Sequence, residues 1–252
     1  MHKTTDSPAA ENPSLPLTRQ MLRGGLPIRA QVYDLLHRGI RQLAIPPGRS
    51  ISEPEVSEAL GVSRGPVREA FIRLASEGLV EVTPQVGTFV SKLDVAVLLE
   101  AIYVRQALEP DLAARAAART APADAHRLQM NCEMQDTAAR ANDLDRVWDL
   151  DNEFHHMVAM LSGLPGVWKY ISSVRGTLAR LRTLELVELD NPNRIWVPQH
   201  RQIADCISRN DPEGARKLMR DHINVSIGQI EELRTRFPSF FTEGGAGDSA
   251  VL

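Results

Sequence analysis

Two of the 252 residues are cysteine, Cys132 and Cys206. They have no ligand-type spacing and cannot build a disulfide framework, so a reducing, cytoplasmic compartment is the expectation. Aromatic residues amount to 5%, which points to aliphatic, helical cores. No run approaches the roughly 18–20 apolar residues that span a bilayer, so no membrane partner is expected. The opening stretch MHKTTDSPAAENPSLPLTR has no apolar core of the kind a signal peptide requires. Neither sign of charge dominates: 29 Lys and Arg stand against 32 Asp and Glu, a net −3. Bulk charge therefore supplies no basic footprint for a nucleic-acid partner. There is no internal repeat.

What is present is an ordinary share of apolar and charged residues, 43% and 24%, arranged in two different patterns. Residues 1–25 read as a disordered leader rich in Pro, Ser and Asn, and 238–252 as a flexible tail. Residues 26–93 carry short, mixed elements. RAQVYDLLHRGIRQL has helical spacing and stops at IPPGRS. SEPEVSEAL reads as a short helix with Ser52 as N-cap and Gly61 as its stop. SRGPVREAFIRLASEG reads as a third helix, with Ser63 as N-cap and Pro66 in the first turn, where no intrahelical N–H is lost. LVEVTPQVGTFVSKL then alternates around PQVG as a β-hairpin does. This is the order of a winged helix-turn-helix domain. Residues 94–237 are helical throughout, with six segments broken near 120–122, 142–144, 163–166, 188–193 and 210–212. Turn residues in SGLPG, DNPN and RNDPEG suit connections between antiparallel helices. The expected fold class is mainly α, a winged helix-turn-helix domain followed by an all-α antiparallel bundle.

In the third helix, Val67, Ala70, Phe71 and Leu74 form an apolar stripe. Arg64, at the helix start, and Gly65, Arg68, Glu69 and Arg73 lie mainly outside it. A recognition helix reads base edges from its N-terminal residues, and arginine's fork suits guanine O6 and N7 as well as phosphate. Solvated surface arginines are the blander alternative, but a complete helix-turn-helix-wing order favours a DNA reader. The segment PPGRSISEPEVSEALGVSRGPVREAFIRLASEGLVEVTPQVGTFV resembles the N-terminal domain of the GntR family of bacterial transcriptional regulators, with GVSRGPVREA its most specific part. The resemblance implies that Ser63, Arg64, Gly65 and Arg68 meet double-stranded operator DNA and that Gly87 in the wing approaches the minor groove. Some members carry an arginine early in the second helix, where this chain has Pro54.

In LDRVWDLDNEFHHMVAMLSG, helical phase puts Asp151 and His155 on the face of Leu150, Phe154, Val158 and Leu161, and turns Asp149 and His156 to solvent. His200 shares a stripe with Ile203, Ala204 and Ile207, and His222 with Leu218, Met219 and Val225. Any one of these histidines alone is more simply a hydrogen-bonded core residue, but Asp151 stands with the three of them. Four such residues on three apolar faces point to a divalent metal. LDNEFHHMVAMLSG and PQHRQIADCISRNDPEGARKLMRDHI are similar to the C-terminal, FCD-type effector domain of the FadR subfamily. That similarity implies ligation of zinc, nickel or manganese by Asp151, His155, His200 and His222, and argues against a fatty-acyl effector. Arg105 and Glu109 share an apolar stripe. They read either as an i,i+4 ion pair or, by the resemblance, with Arg105 facing a small carboxylate effector. Where members often have Asn after the Ser-Gly of the metal-bearing helix, this chain has Leu164. The expected molecule is a homodimeric repressor whose ligand shifts its DNA-binding domains. A metal-dependent hydrolase is disfavoured, because no HExxH is present and Glu153 points away from the candidate ligands. A purely structural metal stays open.

Overall fold

A computed structural model of the protein describes residues 14–188 and 193–243. The chain divides into two compact units, residues 1–92 and 93–252.

In the first unit, α1 (Ile28–Arg41) buries Val32, Leu36 and Ile40, four residues apart. Helix α2 (Glu53–Leu60) begins at Ser52, whose hydroxyl accepts from the Glu55 N–H, and ends at Gly61 in the left-handed region (φ 62°). Helix α3 (Arg64–Ser76) packs Val67, Ala70, Phe71 and Leu74 inward. Strands β2 (Val80–Thr83) and β3 (Gly87–Val90) form the antiparallel wing. A two-residue strand β1 (Ser50–Ile51), too short to leave an alternation in the sequence, pairs with β3 to give the sheet order β1-β3-β2. Gly87 closes the wing turn at φ 151°, a conformation that L side chains rarely adopt.

Part of the presumed leader is folded. Leu15 and Leu17 are buried in this core, a short 3-10 turn forms at Arg19–Met21, and the Gln31 side chain bonds both N–H and C=O of Arg23. Composition over 25 residues averages out two leucines that find a hydrophobic site. The part of that expectation covering 1–13 lies outside the described residues.

The second unit is a bundle of six helices among the described residues: α4 (Val95–Ala117), α5 (Pro122–Arg140), α6 (Leu144–Leu161), α7 (Trp168–Glu188), α8 (Asn193–Ser208) and α9 (Pro212–Arg236). Side-chain oxygens of Asp94, Asp143 and Asp211 cap α4, α6 and α9. The presumed flexible tail also begins later than composition suggests. Pro238–Phe240 make a 3-10 turn, and Phe241 is buried and bridges Leu93 through paired backbone hydrogen bonds. The remainder, 244–252, lies outside the described residues. No helix among those described is long and apolar enough to cross a membrane.

Candidate functional site

Helix α6 turns Asp151 and His155 into the bundle, α8 contributes His200 and α9 contributes His222. All four are buried, and one ligand atom from each lies within 4.8 Å of the others. His156, Asp149 and Glu153 on α6 are exposed. His200 Nε2 is 3.2 Å from His222 Nε2 and 3.6 Å from Asp151 Oδ1, and His155 Nε2 is 3.9 Å from the same oxygen.

The outward ring nitrogens decide what this cluster can hold. His200 Nδ1 lies 2.7 Å from Gln135 Oε1. The amide of Gln135 is oriented by its own Nε2, which donates to Asn131 Oδ1 at 2.7 Å and to the Leu150 carbonyl. His222 Nδ1 lies 3.0 Å from Gln199 Oε1. His155 Nδ1 is 2.5 Å from Glu109 Oε2, off the axis of a hydrogen bond. The two glutamine oxygens favour a proton on Nδ1 of His200 and His222, which leaves their Nε2 atoms as bare lone pairs, while His155 Nε2 faces the Arg105 guanidinium at 3.5 Å. The Nε2 atoms of His200 and His222 then face each other as two acceptors. Three imidazole lone pairs and a carboxylate oxygen with no proton among them are a donor set that fits a divalent cation.

The electrostatics agree with neutral histidines beside an ionised carboxylate. Burial, reinforced by Arg175 and Arg105, holds His155 well below its ordinary value. Burial, then His200 and His155, does the same for His222. Burial lowers His200 to about 4 against the pull of Asp151. Burial would raise Asp151, but Arg175, His155, Arg182 and His200 together outweigh it and hold the carboxyl well below the usual range.

Charged side chains on two further helices frame the cluster. On α4, Arg105 Nε donates to Glu109 Oε1 at 2.5 Å, and Arg105 Nη2 is 3.5 Å from His155 Nε2. The i,i+4 ion pair expected between these residues is therefore present, and it is buried, 3% exposed at both residues. On α7, Arg175 Nη2 bonds Asp151 Oδ2 and its Nε donates to Asn152, while Nη1 is buried without a hydrogen-bond partner. Arg182 lies 4.0 Å from Asp151 Oδ1, bonds Glu185 and Ser226, and stacks on Trp196. Burial raises the Glu185 carboxyl.

In the first unit, Ser63, Arg64, Gly65 and Arg68 are exposed along the start of α3, and Gly87 is half-buried in the wing. The Ser63 side chain makes no capping bond. Glu69 is engaged by Arg29 at 2.9 Å and Arg73 by Glu77 at 3.1 Å.

The model for bacterial regulatory proteins of the gntR family matches residues 28–90, and the FCD domain model matches 100–225. The HTH-type transcriptional repressor RspR of Escherichia coli (strain K12) is 31% identical over 217 residues, spanning 86% of this chain and 95% of that protein. The chain belongs to the GntR family. A GntR domain followed by an FCD domain is consistent with the FadR subfamily, and makes the chain a transcriptional regulator with a DNA-binding helix-turn-helix and an effector-type domain. The Nta operon transcriptional regulator of Aminobacter aminovorans is 27% identical over 187 residues, 74% of this chain and 87% of that one. Among solved structures, a GntR transcriptional regulator from Rhodococcus sp. RHA1 aligns with a TM-score of 0.64 at 25% identity, covering 81% of this chain and 97% of its own. E. coli McbR/YncC shares the fold with a TM-score of 0.65 at 22% identity, over 84% and 99% of the two chains.

Sequence reasoning missed Arg175, Arg182 and Glu185 in this GntR regulator, and the amides Asn131, Gln135 and Gln199. The signal for the first three was available. Ile171, Arg175, Leu178, Arg182 and Glu185 share one face of α7, the same charged-in-apolar anomaly that singles out the histidines.

Proposed function

We propose that this GntR regulator is a metabolite-responsive repressor that binds a pseudo-palindromic operator as a homodimer and senses a small organic acid at a metal-containing pocket. The carrying observation is the convergence of Asp151, His155, His200 and His222, all buried, with one ligand atom from each within 4.8 Å of the others.

Those four side chains would hold a divalent ion, with zinc the first choice of a His/Asp set and nickel or manganese acceptable to it. Such an ion supplies a Lewis-acidic anchor for a carboxylate. The chain's own residues do the rest. The buried guanidiniums of Arg105, Arg175 and Arg182 face three carboxyl groups, Glu109, Asp151 and Glu185. Any added cation makes this interior positive and suits it to an anionic effector. Arg105, fixed by Glu109 beside His155, orients the incoming acid. Effector binding changes operator affinity only insofar as the effector prefers one state of the protein.

On DNA, Arg64 and Arg68 read the major groove, Ser63 and Gly65 allow close backbone approach, and Gly87 brings the wing to the minor groove. Arg68→Ala should abolish binding to the operator in fluorescence anisotropy and leave the metal content from elemental analysis unchanged. Retained operator affinity in that variant would overturn the assignment.

Elemental analysis of the purified protein, combined with a thermal-shift screen of small carboxylates and sugar acids, tests the sensing half. A specific acid raises the melting temperature through linkage, and does so less in His200→Ala. The near-complete burial of the three histidines (2% exposed or less) also supports a purely structural metal. Chelation distinguishes the two. Unfolding of the second unit supports the structural role, and loss of the ligand shift in a folded protein supports the sensor.

A further inference from the structure

The segment before α1 lies against the DNA-reading end of the first unit. Leu15 and Leu17 anchor it in the core, and Gln31 clamps it by accepting from the Arg23 N–H at 2.6 Å and donating to the Arg23 and Leu26 carbonyls at 3.0 Å. Between the clamps the chain passes over the turn that joins α2 to α3. Arg19 Cδ sits 3.1 Å from the place a Cβ on Gly61 would take, so the glycine there admits the arginine.

A groove of about 510 Å³ results, lined on one side by Arg19 and Arg23 and on the other by Gly61, Val62, Ser63 and Pro66. No acidic side chain lines it. Both arginines are exposed, and neither guanidinium has an ion-pair partner among the described residues. The groove is continuous with the start of α3, the end from which a helix of this class reads bases.

Charge supplies a second argument. Residues 28–92 hold eight Lys and Arg against seven Asp and Glu, almost neutral for a DNA-binding domain. Residues 14–27 contain two arginines and no acid, which brings the balance to ten against seven. A partner carrying regularly spaced negative charge beside the recognition helix fits this surface, and the partner of a GntR domain is duplex DNA.

We propose that Arg19 and Arg23 contact backbone phosphates of the operator next to the bases read by α3, making the N-terminal segment a third part of the DNA interface beside helix and wing. The two cations set affinity and register rather than sequence preference. This rests on the DNA-binding assignment of the domain, and the test separates the two.

The full-length protein is titrated against a duplex that the wild-type chain has selected from a random-sequence pool, over a series of salt concentrations. Each phosphate contact contributes about 0.9 to the slope of log K against log salt. Arg19→Ala/Arg23→Ala should lower that slope by about 1.8 for each protomer bound and leave the selected sequence unchanged. Arg19→Lys/Arg23→Lys, which keeps both charges, should restore most of it. Melting of the first unit, followed in parallel, checks that the segment still packs through Leu15 and Leu17. A folded double-alanine variant with the wild-type slope overturns the proposal. So does a lysine variant as weak as the alanine one, which would assign the arginines to packing. Failure of the wild-type chain to select any duplex would instead remove the DNA reading on which it rests.

Discussion

Gln135 Oε1, 2.7 Å from His200 Nδ1, places an acceptor that favours the tautomer protonated on Nδ1. The Gln135 amide cannot turn over without losing the bonds its Nε2 makes to Asn131 and the Leu150 carbonyl. Asn131 is in turn oriented by Glu153, which accepts from Asn131 Nδ2 at 3.4 Å. A solvent-exposed carboxylate thus sets, through two amides, which nitrogen of a buried histidine is free to bind a cation. Removing the acceptor lets the ring protonate on Nε2 and rotate. Gln135→Ala should therefore weaken zinc binding by about 10- to 100-fold, the usual cost of losing such a partner. Competition with a chromophoric chelator measures this. Gln135→Glu, which keeps an acceptor in place, should bind within a few-fold of wild type. An alanine variant with unaltered zinc affinity would show that the amide serves packing alone.

Helices α2 and α3 both begin at a serine, yet the two serines are spent differently. Ser52 accepts from the Glu55 N–H at 3.3 Å and so satisfies one of the orphan donors of α2. Ser63 occupies the same position before α3, but its hydroxyl makes no such bond and stays exposed. Ser52→Ala should cost the first unit about 1 kcal/mol in urea denaturation, the usual loss for an N-cap. Ser63→Ala should cost much less stability while weakening operator binding. Equal destabilisation by the two would contradict the division of roles. Elements of this kind were legible in the sequence because their signals are local. Gly61, Ser52, the α3 stripe and the inward phase of Asp151 and His155 each depend on residues within a few positions. Signals that depend on a distant partner were not legible. The Ile51 strand exists because β3 lies beside it, and Leu15 and Leu17 are ordered because the first unit's core receives them. Arg175 can be buried on α7 only because Asp151 on α6 compensates its charge. The phase of one helix cannot supply its partner's acid.

Across the molecule, six helices exclude water from a centre of three histidines and several charges, and this makes stability depend on pH in a defined direction. The histidines are held below their ordinary value of 6.5, His200 at about 4. In the unfolded chain they take up protons near pH 6.5, whereas the folded bundle resists them. The unfolded state therefore binds more protons between those two values. Stability of the metal-free second unit, fully present above about pH 6.5, is lost as pH falls toward 4. Asp151, held below its ordinary range, adds its own loss only under more acidic conditions. Zinc bound to the native state adds RT ln(1 + [L]/Kd), about 2.7 kcal/mol at a hundredfold excess over Kd. Because folding keeps the ring nitrogens neutral, that increment should survive acidification that would strip zinc from exposed histidines. Calorimetric melts at pH 7.5 and 5.5, with zinc or with a chelator, read both effects. The chelated protein should melt lower at pH 5.5 than at 7.5, while the zinc-induced rise stays nearly the same at both. A zinc increment that collapses between pH 7 and 6 would mean that the ligands titrate as ordinary surface histidines, and the buried donor set would no longer account for metal binding.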